Sequence, residues 1–131
     1  MKTIWTNGCY DILHVGHVKL LKYAKSLGDR LIVGIDSDSR VRDMKGISRP
    51  INNQDDRQEM LQSNQYVDEV VIFNSDDELR NLIKIYDIHT MVVGDEYRNK
   101  EVIGSENCHT TVYFKKFKGL SSTRILNEIH K

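Results

Sequence analysis

The sequence lacks the features of a secreted or membrane-spanning protein. It contains two cysteines, at positions 9 and 108, and one proline in 131 residues. Two cysteines so far apart do not make a disulfide framework, and a chain without one is typical of the reducing cytoplasm. No apolar run approaches the roughly 20 residues of a membrane-spanning helix. Asn7 and Asp11 interrupt the first apolar stretch, so we expect no signal peptide, no membrane partner and a cytoplasmic location.

The sequence also lacks an excess of charge of either sign. It has 19 basic and 19 acidic residues, which gives a formal net charge of +0. Such a chain has no general attraction for nucleic acid, and it shows no basic face with interleaved aromatic residues. We therefore expect no nucleic-acid partner, and any positive potential must be local.

Short apolar runs alternate with helical patterns along the chain. The apolar runs predict strands at residues 1–5, 31–35, 69–73, 90–94 and 110–114. They show little polar alternation, which is typical of strands buried on both faces. Helices are predicted at residues 18–27, 55–63, 76–86 and 121–130. This alternation predicts an α/β fold in which helices cover both faces of a parallel sheet, as a single domain over residues 1–131.

The most informative motif is His14-Val15-Gly16-His17, which follows a glycine-containing turn after the first predicted strand. A helix start presents unpaired N–H groups and the positive end of the helix dipole, and both attract phosphate. Imidazoles three residues apart lie on one side of a helical turn and can reach one anion. Gly8 allows a close backbone approach to a ligand, and Gly16 keeps bulk away between the rings.

The two histidines have two other possible roles. They would be half of a zinc site only if two more ligands lay nearby, and Cys9 is the only close thiol. They would be ordinary surface residues if the position after a glycine turn were accidental. That position favours a phosphate site over both alternatives.

The segment from Lys45 to Pro50 follows the second predicted strand. Its two basic residues, its glycine and the only proline predict a mobile loop. The loop is either simply solvated, or it offers Lys45 to a phosphate as a point charge.

Arg57 and Asp95 are further candidates. An arginine in the first turn of a helix is poorly placed for the helix dipole, so Arg57 is expected to have another use. Asp95 follows Gly94 at the end of the fourth predicted strand. It would accept hydrogen bonds from a ribose or base, or help to hold a cation, unless it only caps a helix.

The segment from Gly119 to Ile125 opens the last predicted helix. A single serine or threonine there would be explained as a helix cap. Ser121, Ser122 and Thr123 supply three hydroxyls in a row after a glycine. Together with the N–H groups of the helix start, they predict a second phosphate-binding site.

The segment from Thr6 to His17 resembles the opening signature of the H-x-G-H nucleotidyltransferase superfamily, and more narrowly its cytidylyltransferase-like family. Lys45-Gly46 with Arg49-Pro50, and residues 94–106, resemble the heptose-1-phosphate adenylyltransferase domain of bifunctional enzymes. The related glycerol-3-phosphate cytidylyltransferases carry an arginine three residues before the glycine of G-x-S-[ST]-T, where this chain has Lys116. The resemblance covers nearly the whole chain and implies a Rossmann-like, three-layer fold.

The resemblance implies a nucleotidyltransferase, in which a phosphorylated substrate attacks the α-phosphorus of a nucleoside triphosphate and pyrophosphate leaves. ATP and a heptose-type sugar 1-phosphate are the implied substrates. CTP with glycerol 3-phosphate is the alternative, and a non-catalytic nucleotide sensor is a further one. Mg²⁺ is expected with the triphosphate. A homodimer is implied by the resemblance alone.

The resemblance also assigns roles to residues. The implied catalytic residues are His14, His17, Lys45, Ser122 and Thr123. The implied nucleotide-binding residues are Gly8, Cys9, Tyr10, Asp11, Gly16, Gly94, Asp95, Gly119 and Ser121. Asp11 is expected near the phosphates or a metal, and Arg57 is expected to bind the phosphate of the acceptor. Cys9 and Tyr10 have the simpler alternative of packing in the core.

Overall fold

The computed structural model describes residues 1–115, which form one parallel sheet with helices on both faces. The strands are β1 (Thr3–Gly8), β2 (Arg30–Asp36), β3 (Glu69–Phe73), β4 (Thr90–Gly94) and β5 (Thr110–Phe114). The helices are α1 (Val15–Ser26), α2 (Asp38–Lys45), α3 (Gln54–Gln62) and α4 (Asp76–Ile85), and two short 3₁₀ turns lie at Asp95–Tyr97 and Ser105–Asn107.

The strand order is β3-β2-β1-β4-β5, and every neighbouring pair is parallel. The chain therefore builds outward from β1 on one side and then crosses to β4 on the other. This arrangement confirms the predicted parallel α/β sheet. It also creates a switch point at the carboxyl end of β1, which is where ligands bind in open sheets of this kind.

The core consists of two layers, one on each face of the sheet. Neighbouring strand residues point to opposite faces, so Ile4 packs in one layer and Trp5 in the other. The first layer includes Leu21 of α1, and the second includes Ile83 of α4. The helices on opposite faces complete the three layers.

The largest differences from the sequence expectations are at β1, α1 and α2. β1 extends to Gly8, because its polar end residues still pair in register with β2. α1 begins at Val15, three residues earlier than predicted. α2 was not predicted at all, since Val41 is its only buried residue and its remaining positions give no apolar stripe. The predicted helix at residues 121–130 lies outside the described residues.

Within residues 1–115, no helix combines the length and the apolar character that crossing a membrane requires.

Candidate functional site

A cleft of about 420 Å³ opens at the carboxyl edge of the sheet. Gly8 and Cys9 line it from the end of β1, and Asp36 lines it from the end of β2. Its polar lining also includes Lys45, the last residue of α2, and Tyr97. The cleft therefore lies at the switch point and brings Lys45 beside the turn that leads to the histidines.

The two histidines form the cap of α1. His14 is the N-cap, and its Nδ1 accepts a hydrogen bond from the Gly16 backbone N–H at 3.1 Å. The Nδ1 of His17 accepts from the His14 backbone N–H at 3.2 Å. The rings stack with their centroids 3.8 Å apart. The pair thus occupies the capping-box positions that Ser or Thr and Glu usually hold.

This cap determines which ring nitrogens carry protons. A ring nitrogen that accepts a hydrogen bond has no proton, so each neutral ring carries its proton on Nε2. The first turn of α1 contains no acidic residue. The helix start therefore combines two imidazole N–H donors with the positive end of a helix dipole, which is the chemistry that a phosphate requires. Gly16 contributes its backbone N–H to this cap, and its contact with a nucleotide stays a prediction.

The turn before α1 is tightly packed. Tyr10 has φ of 52°, in the left-handed region that non-glycine residues seldom adopt. Its ring centroid lies 5.0 Å from that of His17. A Cβ atom on Gly8 would lie 3.2 Å from the same ring, so Gly8 allows the ring to pack there. Burial raises the pKa of the Tyr10 phenol to about 12. Tyr10 thus packs in the core next to His17, which agrees with the alternative to nucleotide binding that the sequence analysis left open.

Asp11 is not available to phosphates or to a metal in this structure, contrary to the expectation. Its side chain is fully buried. Its carboxylate accepts hydrogen bonds from the backbone N–H groups of Ile51 at 2.9 Å and Asn52 at 2.8 Å, and from Nε of Arg49 at 3.2 Å. Asp11 therefore anchors the loop between α2 and α3 to the histidine turn.

The structure also corrects the expectation for Arg57. Its side chain has 0% exposure, so it presents no surface to an acceptor phosphate. Its guanidinium donates to three backbone carbonyls and to the carboxylate of Asp38. The unfavourable position of this arginine at a helix start is explained by these contacts.

The predicted loop is shorter than its sequence indicated. Lys45 belongs to α2, and Gly46 ends that helix with φ of 102°, a left-handed conformation that suits glycine. Residues 46–48 are exposed, whereas Arg49 is held by Asp11. Only residues 46–48 therefore have the character of a solvated loop in this structure.

Gly94 and Asp95 lie at the end of β4, where they were expected. A Cβ atom on Gly94 would lie 2.4 Å from the Glu96 carboxylate. Gly94 is the N-cap of the 3₁₀ turn Asp95–Tyr97, so Asp95 lies inside the turn and not at its cap position. Its Oδ1 accepts from Arg98 at 3.0 and 2.7 Å, and its contact with a nucleotide stays a prediction.

Asp36 and Arg40 also line the cleft, although neither was predicted as a site residue. Arg40 Nε donates to Asp36 at 2.8 Å, and its Nη2 donates to Asp76 at the same distance. Their i, i+4 spacing across the start of α2 was the available signal.

The Cys9 thiol lies in the same cleft. Burial raises the pKa of this thiol, an effect that the positive charges of Lys45 and Arg57 oppose. Cys9 is therefore a poor nucleophile.

Gly119, Ser121, Ser122 and Thr123 lie outside the described residues, as does Lys116. Among residues 1–115, no group of three His, Cys, Asp or Glu side chains is arranged to hold a metal ion.

The chain is similar to known proteins over nearly its whole length. A family model described as cytidylyltransferase-like matches residues 5–128. The chain is 46% identical over 130 residues to the bifunctional protein HldE of Aliarcobacter butzleri, covering 99% of this chain and 27% of that protein. It is 45% identical over 126 residues to HldE of Campylobacter fetus, covering 96% of this chain and 27% of that protein. The chain thus spans about a quarter of the length of these relatives.

A solved structure has a similar fold. The lipopolysaccharide core biosynthesis protein from Thermoplasma volcanium superposes with a TM-score of 0.74 at 25% sequence identity. The match covers 90% of this chain and 99% of that one.

Proposed function

The chain belongs to the cytidylyltransferase-like family and is a nucleotidyltransferase, and we propose that it transfers the adenylyl group of ATP to a heptose-type sugar 1-phosphate. The observation that carries this proposal is the histidine pair at the start of α1. Two stacked imidazoles with their protons on Nε2 lie at the carboxyl edge of the sheet. They suit the stabilisation of negative charge on a triphosphate.

In the proposed reaction, an oxygen of the acceptor phosphate attacks the α-phosphorus of ATP. The bond from that phosphorus to the oxygen bridging to the β-phosphate breaks, and pyrophosphate leaves with the electron pair. Such transfers depend on positioning and charge neutralisation more than on covalent catalysis. His14 and His17 donate hydrogen bonds to phosphate oxygens, and Lys45 neutralises the negative charge of those oxygens from the cleft. Ser121, Ser122 and Thr123, with Gly119, are proposed for the β- and γ-phosphates.

Magnesium is proposed to arrive with the triphosphate, whose charge it neutralises. We further propose that Gly94 and Asp95 lie near the nucleoside.

The cleft suits the acceptor. Its walls combine apolar residues with Lys45, Asp36 and Arg40. A sugar phosphate presents hydroxyls, apolar C–H edges and one anionic group, so each part of the lining has a counterpart. We propose that Lys45 meets phosphate oxygens of both the triphosphate and the acceptor, because Arg40 is already paired with Asp36 and Asp76.

ATP is proposed over CTP because three sequence features match the heptose-type enzymes: Lys45-Gly46 with Arg49-Pro50, residues 94–106, and Lys116 in place of arginine. Relatives called bifunctional protein HldE share 45–46% of the aligned residues. CTP with glycerol 3-phosphate has less support. A non-catalytic nucleotide sensor is also disfavoured, since both histidines and Lys45 are retained.

The test is pyrophosphate release with ATP, CTP, GTP and UTP, each paired with heptose 1-phosphates and with glycerol 3-phosphate. We expect turnover to be highest with ATP and a heptose 1-phosphate. The His17→Ala variant should keep its fold and lose a factor of about 10² to 10³ in rate. Faster turnover with CTP and glycerol 3-phosphate would replace the proposed substrates. Near-normal turnover of the variant would refute the role of the histidine pair.

A further inference from the structure

The buried guanidinium of Arg57 joins separate parts of the candidate site. Its Nη1 donates to the Cys9 carbonyl at 2.9 Å and to the Asp36 carbonyl at 2.8 Å. Its Nη2 donates to the Asp38 carboxylate at 2.8 Å. Cys9 lies in the turn that leads to the histidines. Asp36 ends β2, and Asp38 begins α2, the helix that ends at Lys45.

The same side chain also holds the loop between α2 and α3. Nε of Arg57 donates to the Asn52 carbonyl at 3.0 Å. The Asn52 backbone N–H in turn donates to the Asp11 carboxylate at 2.8 Å. The turn is therefore fixed twice, directly through Cys9 and indirectly through Asp11.

Geometry explains why an arginine is needed here. A guanidinium is planar and holds its donors in fixed directions, whereas a lysine ammonium is a compact group on a flexible stem. Four bonds from one rigid plane fix the acceptors relative to one another. A lysine would satisfy fewer of them, and the buried carbonyls left without a donor would move towards other partners.

We propose that Arg57 is a positioning residue that sets where the histidine pair lies relative to Lys45. This inference rests on the proposed nucleotidyltransferase function. Arg57 contacts neither substrate, because its side chain has no exposed surface. It acts through the turn at Cys9 and through α2. Misplacement of reacting groups by about 1 Å can cost roughly 100-fold in rate, so the effect should fall on the chemical step.

The kinetic test compares Arg57→Lys with Arg42→Lys, a matched change at an exposed arginine of α2. We expect Arg57→Lys to lower kcat about 10- to 100-fold with KM for both substrates within about threefold of wild type. Arg42→Lys should match the wild type. A large rise in the acceptor KM at unchanged kcat would show direct substrate binding and overturn the proposal. A less stable variant with normal kcat per folded molecule would overturn it as well.

Hydrogen exchange tests the link without relying on activity. Arg57→Lys should speed exchange at residues 9–11 and 43–45 together, and Arg42→Lys should not. Asp38→Asn provides a milder variant if Arg57→Lys does not fold: it keeps the three carbonyl contacts of the guanidinium and weakens only the contact with α2. It should therefore speed exchange at residues 43–45 and leave residues 9–11 unchanged. Unchanged exchange at both segments in a folded variant overturns the positioning role. If the wild type releases no pyrophosphate, the proposed function is refuted. The exchange result then decides separately whether Arg57 connects the turn at Cys9 to α2.

Discussion

His14 has two roles in this structure that substitution can separate. Its ring caps α1 by accepting from Gly16 N–H, and its Nε2–H is proposed to bind phosphate. Alanine removes both functions. Asparagine is among the best N-cap residues and preserves the cap but not the imidazole. We therefore expect His14→Asn to remain close to wild type in stability, whereas His14→Ala leaves Gly16 N–H without its acceptor.

The magnitudes follow from these two contacts. Loss of a cap costs about 1 kcal/mol, within a range of roughly 0.5–2. For a domain of this size that corresponds to a fall in Tm of roughly 3–5 °C. Loss of one electrostatic contact in the transition state costs about 10² to 10³ in rate. Both variants should therefore be slow, and only the alanine variant should melt early.

Thermal unfolding and pyrophosphate release measure the two effects independently. Equal Tm values for the two variants would refute the capping role of the ring. Near-normal turnover of His14→Asn would refute the phosphate role.

Three further predictions concern packing, loop order and pH. Gly34→Ala should lower the free energy of unfolding by about 1–3 kcal/mol, because its Cβ would lie 2.4 Å from the buried Trp5 ring; an unchanged urea midpoint would contradict this. Hydrogen exchange at residues 46–48 should slow when ATP is added, since the loop is expected to order as Lys45 moves to the phosphates; equal exchange with and without ATP would show that it does not. Burial alone would raise the pKa of Asp68, but hydrogen bonds from Lys25 and the Leu31 backbone N–H lower it below its usual range. A lowered pKa gives stability that is present at neutral pH and is lost on acidification. The stability advantage of wild type over Asp68→Asn should therefore stay constant from pH 7 to about pH 5 and shrink as the pH falls below the ordinary Asp pKa of about 3.9. A difference in urea titrations that stays constant through this acidic range would contradict the assignment.

Much of the fold was predictable because buried parallel strands are marked by apolar runs. The predicted strands at residues 90–94 and 110–114 match β4 and β5. α2 was missed because a helix with one buried side chain, Val41, leaves almost no periodic signal. Its cap at Ser37 was the remaining indication.

The placement of His14 and His17 at a helix start was predictable, because a glycine-containing turn separates them from an apolar strand. The roles of Asp11 and Arg57 were not, because their partners are distant in sequence. Arg57 contacts Cys9 across 48 positions, and Asp11 contacts Asn52 across 41. Whether a charged residue faces a ligand or the interior is decided by such long-range contacts, which no local pattern records.

We propose that the acceptor phosphate attacks the α-phosphorus of ATP. The reaction products show directly which phosphorus is attacked. Wild-type protein, ATP, Mg²⁺ and a heptose 1-phosphate would be combined, and the products followed by ³¹P NMR and mass spectrometry. The account predicts pyrophosphate and an adenosine-diphosphate sugar in equal amounts. Formation of ADP with a doubly phosphorylated sugar would place the attack at the γ-phosphorus and contradict it, as would an unchanged mixture with every nucleotide and acceptor tested.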